Sequence, residues 1–174
     1  GMVLENILVT GMSPTSGDYK DKDYARSIAK QDLQALRNLP GVAAVTQLPQ
    51  LPIQKGGMNG NVYDLDNPEI DEINTSLKTV PFMLTNEAIS DTLGLQLIEG
   101  RLLTTSDRVA PEDTDAVPNV MISESLRKAL YDDGPALGRE TNAGIIVGVV
   151  EDILFHPHTS ADRQHAVYMH MINQ

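Results

Sequence analysis

The most constraining feature of this sequence is a strand–helix–strand pattern in its last third. An apolar run at 117–122 predicts a strand, and Ser123 offers a hydroxyl that commonly caps a following helix. Residues 145–150 form a continuous β-branched run, which is typical of a strand buried on both faces. The helix between the two strands would bury one apolar face, formed by Leu126, Ala129 and Leu130. Such a βαβ unit predicts a sheet with helices packed on one of its faces.

A similar pattern lies at the start of the chain. Residues 3–10 are rich in Val, Leu and Ile and predict a strand. From about 22 to 39, apolar residues recur at three- and four-residue spacings, which indicates one face of an amphipathic helix. Pro40 and Gly41 would end this helix, and residues 42–48 predict the next strand. We therefore expect a second βαβ unit here.

The two units together predict an α+β fold in which they form a split βαβ sandwich. The stretch between them contains several prolines and glycines, which favour turns, and would form a smaller, inserted β-rich lobe with one short helix. Gly94 would end that helix in a left-handed conformation. The predicted domains are a discontinuous α/β lobe at 3–50 and 117–172, and an inserted lobe at 51–116.

Charge and composition exclude several classes of function. Thirteen basic against 24 acidic residues give a net charge of -11, whose field repels phosphate backbones, so we expect no nucleic-acid partner. The chain has no cysteine, which excludes disulfides, thiolate nucleophiles and sulfur-ligated metals. No apolar run approaches the ~20 residues that span a bilayer, so the chain as given is expected to be soluble.

Sequence motifs for catalysis are missing as well. The chain has no G-x-x-x-x-G-K-[ST] phosphate loop, no G-x-S-x-G elbow and no histidine in a recognisable triad context. We therefore expect no catalytic residues, no cofactor and no enzymatic activity.

Histidines are confined to the C-terminal end: His156, His158, His165 and His170. A His-x-His pair in a strand points both rings to one side and could chelate zinc, copper or nickel if a third ligand converged. Pro157 argues against a regular strand at that point. Loop histidines that face solvent are the default expectation, and a metal site formed by these four residues is the open alternative.

An acidic run also raises the question of a cation site. It consists of Asp64, Asp66, Glu69, Asp71 and Glu72. The run does not fit the EF-hand template, because Pro68 and Glu69 stand where the loop needs a ligand and a glycine. We expect a solvated acidic loop, with a calcium site as the alternative.

Several short motifs follow one another in a fixed order. The order begins with Leu39-Pro40-Gly41-Val42, continues through Val120-Met121-Ile122-Ser123 and ends with the strand that leads to Asp152. This order resembles the periplasmic core domain of MacB-like permeases. Each motif alone is only a turn or a strand, but their order extends over nearly the whole chain, from about 3 to 171. Ser123 departs from the asparagine that the family often has, and 155–164 is unusually rich in histidine. The residues that match the family signature are Pro40, Gly41, Gly94, Gly100, Arg101, Asp107, Gly138, Gly148 and Asp152.

This resemblance implies a porter-like lobe with an inserted lobe, placed between the first and second transmembrane helices of an FtsX/MacB-type ABC transporter permease. The domain would lie on the periplasmic, or extracytoplasmic, face of the cytoplasmic membrane. ATP would be hydrolysed by a separate nucleotide-binding domain, and this domain would relay that motion to an adaptor or substrate, as in efflux.

The partners that the resemblance implies are of four kinds. Transmembrane helices of the same chain would precede residue 3 and follow residue 174, and a nucleotide-binding subunit would act from the cytoplasm. A membrane-fusion adaptor or a lipoprotein would dock outside, and a homodimer or heterodimer would form the full transporter. The alternative function is a free-standing extracytoplasmic ligand- or metal-binding protein that uses the C-terminal histidines.

Four signature residues suggest a local structural role. Arg101 and Asp107, six apart in a predicted loop, could pair and hold that loop against the body. As an exposed pair they would contribute under about 1 kcal/mol. Gly100 would serve a tight reversal, and Gly148, inside an apolar strand, indicates the close approach of a neighbouring element.

Overall fold

A computed structural model describes residues 6–11, 17–51, 57–67, 77, 79–110, 113, 115–154 and 164–171. The α-helices in these ranges are α1 (Lys22–Arg37), α2 (Ile89–Leu93) and α3 (Glu124–Tyr131). Short 3-10 helices lie at Gly17–Lys20 and Thr105–Asp107. The strands are β1 (Asn59–Gly60), β2 (Val80–Thr85), β3 (Leu97–Gly100), β4 (Asn119–Ser123), β5 (Glu140–Thr141), β6 (Gly144–Val150) and β7 (Val167–His170).

These strands form one mixed sheet with the order β1-β2-β7-β4-β6-β3, and β5 pairs with β6 outside that path. The pairs β2–β7 and β4–β6 are parallel, and the other pairs are antiparallel. Because β7 lies between β2 and β4, the last described strand joins the two parts of the sheet.

The predicted βαβ unit of the last third is confirmed as β4, α3 and β6, with β4 and β6 paired in parallel. The Ser123 hydroxyl accepts a hydrogen bond from the Leu126 amide at 3.4 Å, as expected of an N-cap. Glu124 in the first turn of α3 contacts both Arg127 and Lys128. Leu126 and Leu130 are buried, so α3 packs its apolar face on the sheet.

The βαβ unit predicted for the start of the chain is not formed. Its helix is confirmed as α1, but the described part of the first predicted strand and all of 42–48 have no regular secondary structure. Side chains rather than a strand ladder hold 42–48: Asn86 Nδ2 donates to the Val45 carbonyl at 3.2 Å, and the hydroxyls of Thr46 and Thr85 lie 2.7 Å apart. The coarse prediction of a mixed α+β fold is therefore confirmed, whereas the split sandwich of two βαβ units is not.

The two-lobe division at 51 and 117 stays a prediction. Strands β2 and β3, which arise within 51–116, lie in the same sheet as β4, β6 and β7. Asn59 and Gly60 form β1, which pairs with β2. Both strands lie within the stretch for which the sequence predicts an inserted β-rich lobe.

The strands of the centre of the sheet are buried on both faces by two apolar clusters. Neighbouring residues on β4 and β7 alternate between them, so Ile122 and Val167 belong to one cluster and Met121 and Tyr168 to the other. Helix α3 contributes to the first cluster and α2 to the second. Helix α1 buries only Ala29. Within the described ranges, no helix has the length and apolar content that crossing a bilayer requires.

Candidate functional site

Two of the signature residues, Arg101 and Asp107, form an ion pair in which the carboxylate is buried. Arg101 Nη1 lies 2.6 Å from Asp107 Oδ2, and Nη2 lies 2.7 Å from Oδ1, which is bidentate geometry. The Asp107 side chain is 1% exposed and that of Arg101 is 46% exposed. The expectation of an exposed pair is wrong for Asp107, whose carboxylate is buried, whereas the Arg101 guanidinium remains half exposed.

Three further donors bind the same carboxylate. The Thr104 amide and hydroxyl donate to Oδ2 at 2.8 and 2.9 Å, and Asn119 Nδ2 donates to Oδ1 at 2.7 Å. The hydrogen bonds from Arg101, and then those from Thr104 and Asn119, hold the pKa of Asp107 well below its usual range, although burial opposes them. Asn119 begins β4, so the carboxylate ties the 101–107 loop to a central strand. We call Arg101, Thr104, Asp107 and Asn119 the Asp107 hub.

Two glycines let this loop lie directly on β6. Gly100 has φ +78°, and a Cβ there would overlap the Val147 carbonyl. A Cβ on Gly148 would overlap the Arg101 carbonyl. The Arg101 amide donates to the Val147 carbonyl at 2.9 Å across the same contact. The predicted tight reversal at Gly100 and the close approach at Gly148 are both confirmed.

A second polar cluster fixes the beginning of α3. Asp152, just beyond β6, accepts a hydrogen bond from the Ser125 amide at 3.0 Å. Ser123 Oγ accepts from the Ala166 amide at 2.9 Å as well as from Leu126. The helix therefore starts at a point held by the ends of β4 and β6 and by the chain that leads into β7. The signature aspartate Asp152 thus acts as a capping residue in this structure.

The two described histidines point into the protein. His165 is 4% exposed, with Nδ1 3.1 Å from Ser125 Oγ, and His170 is 2% exposed, with Nδ1 2.9 Å from the Thr104 carbonyl. The default expectation of solvent-facing loop histidines is wrong for both. His156 and His158 lie outside the described residues. In the part of the chain that the structure describes, no three His, Asp or Glu side chains are grouped to hold a metal ion.

The Ser125–His165 contact does not form a catalytic dyad that a substrate could reach. Ser125 is 2% exposed, and its hydroxyl lies within the cap of α3, 3.4 Å from the Ser123 hydroxyl. The two side chains form a buried contact between the first turn of α3 and the residues that lead into β7.

The remaining signature positions serve turns. Gly94 ends α2 with φ 68°, as predicted. Gly41 and Gly138 also have positive φ, 84° and 79°. Pro40 is exposed beside the end of α1. At the three glycines, the positive φ allows a chain reversal that other residues would strain.

The acidic run is not uniformly solvated. Asp64 is 2% exposed, against the prediction, whereas Asp66 is exposed. Glu69, Asp71 and Glu72 lie outside the described residues.

Sequence reasoning missed strand β7 and the partners of Asp107. The run Val-Tyr-Met-His at 167–170 is fully buried, and its apolar, β-favouring residues were the available signal. For Thr104, the available signal was its position three residues before Asp107, the spacing of a capping box, which the structure contains. No local pattern links Asn119 to Asp107, because that contact joins positions 12 apart.

Comparison with known proteins identifies the fold. Neither a family model nor a curated protein matches the chain. The periplasmic region of MacB from Actinobacillus actinomycetemcomitans is similar over 81% of this chain and 54% of its own, with a TM-score of 0.53 and 20% identity. The extracellular domain of the noncanonic ABC-type transporter YknZ from Gram-positive bacteria is similar over 81% and 61%, with a TM-score of 0.51 and 14% identity. The chain has the fold of MacB-like periplasmic domains, as the sequence motifs indicate, and spans less than two thirds of the length of these two chains.

Proposed function

We propose that this chain is an extracytoplasmic domain of an ABC transporter permease, which transmits ATP-driven motion of the membrane subunit to an adaptor or substrate outside the membrane. The observation that carries the proposal is the shared fold with the outer domains of MacB and YknZ. The order of the signature motifs also supports it, and three of their residues, Arg101, Asp107 and Asp152, lie in the Asp107 hub and at the cap of α3.

The arrangement of buried polar bonds fits a mechanical role. The 101–107 loop, β4, β6 and the beginning of α3 are joined by charge-assisted and buried hydrogen bonds, so they would move as one body. A domain that relays displacement needs such a rigid part. In this proposal ATP is hydrolysed by a separate nucleotide-binding subunit, and transmembrane helices of the parent chain connect the two.

Cysteine labelling of the parent protein in intact cells tests the location. Since the chain has no cysteine of its own, Asp113→Cys on the exposed surface gives a single site, and Ser123→Cys gives a buried control. Other cysteines of the parent would be replaced. A membrane-impermeant maleimide is expected to label Asp113→Cys before permeabilisation and to leave Ser123→Cys unlabelled.

Labelling of Asp113→Cys only after permeabilisation would refute an extracytoplasmic domain.

Transmission is tested separately in proteoliposomes that contain the parent permease and its ATPase subunit. Substrate movement should fall in Asp107→Ala more than ATP hydrolysis does, because the loosened hub would uncouple the two. Equal losses of both activities would contradict transmission through the hub.

The alternative of a metal-binding protein receives no support from the described histidines. His165 and His170 bond to different partners inside the protein, Ser125 and Thr104. We therefore do not propose it as a second function.

A further inference from the structure

His170, the last residue of β7, lies between the Asp107 hub and the turn that precedes α2. Its side chain is 2% exposed. On one side of the ring, Nδ1 lies 2.9 Å from the Thr104 carbonyl oxygen in the hub. On the other side, Nε2 lies 3.5 Å from Oε2 of Glu87 in the turn. The imidazole therefore contacts both the hub and the turn.

The turn before α2, residues 86–88, receives contacts from the N-terminal part of the chain. Asn86 Nδ2 donates to the Val45 carbonyl at 3.2 Å. Arg37 Nη2, at the end of α1, lies 3.5 Å from Glu87 Oε1. The two oxygens of the Glu87 carboxylate thus face different elements, α1 through Oε1 and β7 through Oε2.

The partner of Nδ1 determines which ring nitrogen carries the proton of the neutral imidazole. A carbonyl oxygen can only accept, so Nδ1 donates to Thr104. Nε2 of the neutral ring then has a lone pair that faces a carboxylate oxygen of Glu87, and two acceptors do not attract each other. Protonation places an N–H on Nε2 and changes this contact into a charge-assisted hydrogen bond.

The charges around the ring place one carboxylate in direct contact with it. Glu87 makes this contact, and its side chain is 31% exposed. Arg37 lies beyond Glu87, and the Asp107 carboxylate of the hub is already paired with Arg101. Arg108, which follows the hub loop, is exposed to solvent. Burial of the ring opposes its positive charge, and the Glu87 carboxylate offsets that cost.

We propose that His170 is a pH-dependent switch whose protonation fastens Glu87, and with it the turn before α2 and the end of α1, to the sheet. The charged contact exists only while the turn lies against β7, so protonation favours this closed form over one in which the turn has moved away. Since histidine changes its charge between roughly pH 5 and 8, the turn should be held more firmly in mild acid than in neutral solution. The inference goes beyond the proposed function and does not rest on it.

Native-state hydrogen exchange at about pH 5.5 and about pH 7.5, corrected for the intrinsic effect of pH on exchange, tests the switch. The Ala88 amide, which donates to Asn86 Oδ1 at 3.0 Å, reports on the turn. The Asn38 amide, which donates to the Gln34 carbonyl at 3.2 Å, reports on the end of α1. Both amides should be about threefold more protected at the lower pH, because a partly exposed ion pair stabilises only weakly. Unchanged or lower protection in acid would overturn the proposal, and a gain confined to Ala88 would overturn its extension to α1.

Variants with a matched control identify the two partners. Glu87→Gln removes the carboxylate and should make protection of the turn independent of pH over this range. Glu140→Gln, which removes the same charge from an exposed position on β5, should keep the threefold difference of about the wild-type size. His170→Gln can still donate to the Thr104 carbonyl and should also abolish the pH dependence. If His170→Gln does not fold, the two glutamate variants decide, and a pH effect that persists in Glu87→Gln would overturn the proposal.

The tautomer of His170 provides a test that a purely structural contact would not meet. Long-range ¹H–¹⁵N correlation spectra of the wild type at about pH 7.5 distinguish a proton on Nδ1 from one on Nε2. The neutral ring should carry its proton on Nδ1. A proton on Nε2 would overturn the proposal, because Glu87 would then already have a donor in neutral solution.

Discussion

The Asp107 hub and the N-terminal arm, which comprises 6–11 and 17–51, are held in place by different kinds of contact. In the hub, one buried carboxylate accepts bonds from Arg101, Thr104 and Asn119. In the arm, α1 buries only Ala29, and 42–48 is anchored mainly through the Asn86 side chain. Buried charge-assisted bonds confer rigidity, whereas a half-covered helix opens at low free energy. One chain therefore contains both a rigid body and a compliant attachment.

Asp107→Ala should destabilise the protein most. It should lower the free energy of unfolding by about 3 kcal/mol, because the Asn119 amide and the Thr104 amide and hydroxyl lose the buried carboxylate that they share as an acceptor. Asn86→Ala, the counterpart in the arm's anchor, should cost about 1 kcal/mol. Urea unfolding followed by circular dichroism measures both. Equal losses in the two variants would mean that the arm is anchored as firmly as the hub.

A smaller effect is expected where the loop crosses β6. Gly148→Ala should cost about 2 kcal/mol, since its Cβ would collide with the Arg101 carbonyl and force the backbone to shift. Gly11→Ala is the control in the arm, because nothing lies within 4 Å of a Cβ there. It should change stability by less than about 0.5 kcal/mol. A tolerated Gly148→Ala would mean that the contact between loop and strand is loose.

The pH dependence of stability should also come from the hub. The folded-state pKa of Asp107 is depressed, so its contribution is fully present above the unfolded pKa of about 3.9 and is lost as the pH falls toward the folded value. Between pH 4 and pH 3, this group should remove about 1 kcal/mol. Urea unfolding of the wild type and of Asp107→Asn at several pH values measures the difference. The variant should have the flatter profile, and parallel profiles would contradict the assignment.

Prediction from sequence worked where local patterns determine structure. The β4–α3–β6 unit follows from a capping serine and two apolar runs, and Gly94, Gly100 and Gly148 have the backbone roles that their positions indicate. Prediction from sequence failed where contacts between distant residues determine the structure. The run at 42–48 has the composition of a strand, but Asn86 supplies its hydrogen bond in place of a neighbouring strand.

Burial of charged and polar groups was also beyond local prediction. Asp107 and Asp64 were expected on the surface, because a carboxylate in a polar stretch is usually solvated. Each is instead buried next to an arginine, Asp107 beside Arg101 and Asp64 beside Arg139. The order of the strands in the sheet determines where these residues lie. Strand β7 lies between β2 and β4. This strand order depends on contacts between distant parts of the chain and cannot be predicted from any single segment.

A variant of the α1 cap tests whether the arm opens by itself. Asp21 caps α1 by accepting bonds from the amides of Asp23 and Tyr24 at 2.9 and 3.2 Å, all at exposed positions. Asp21→Ala should destabilise α1 by about 0.7 kcal/mol, which raises amide exchange in this helix about threefold. Amides of β4 and β6 should keep their native exchange rates, because their bonds break only on global unfolding. Native-state hydrogen exchange measures both sets at once, and equal acceleration in the helix and the sheet would mean that the arm and the hub open as one unit.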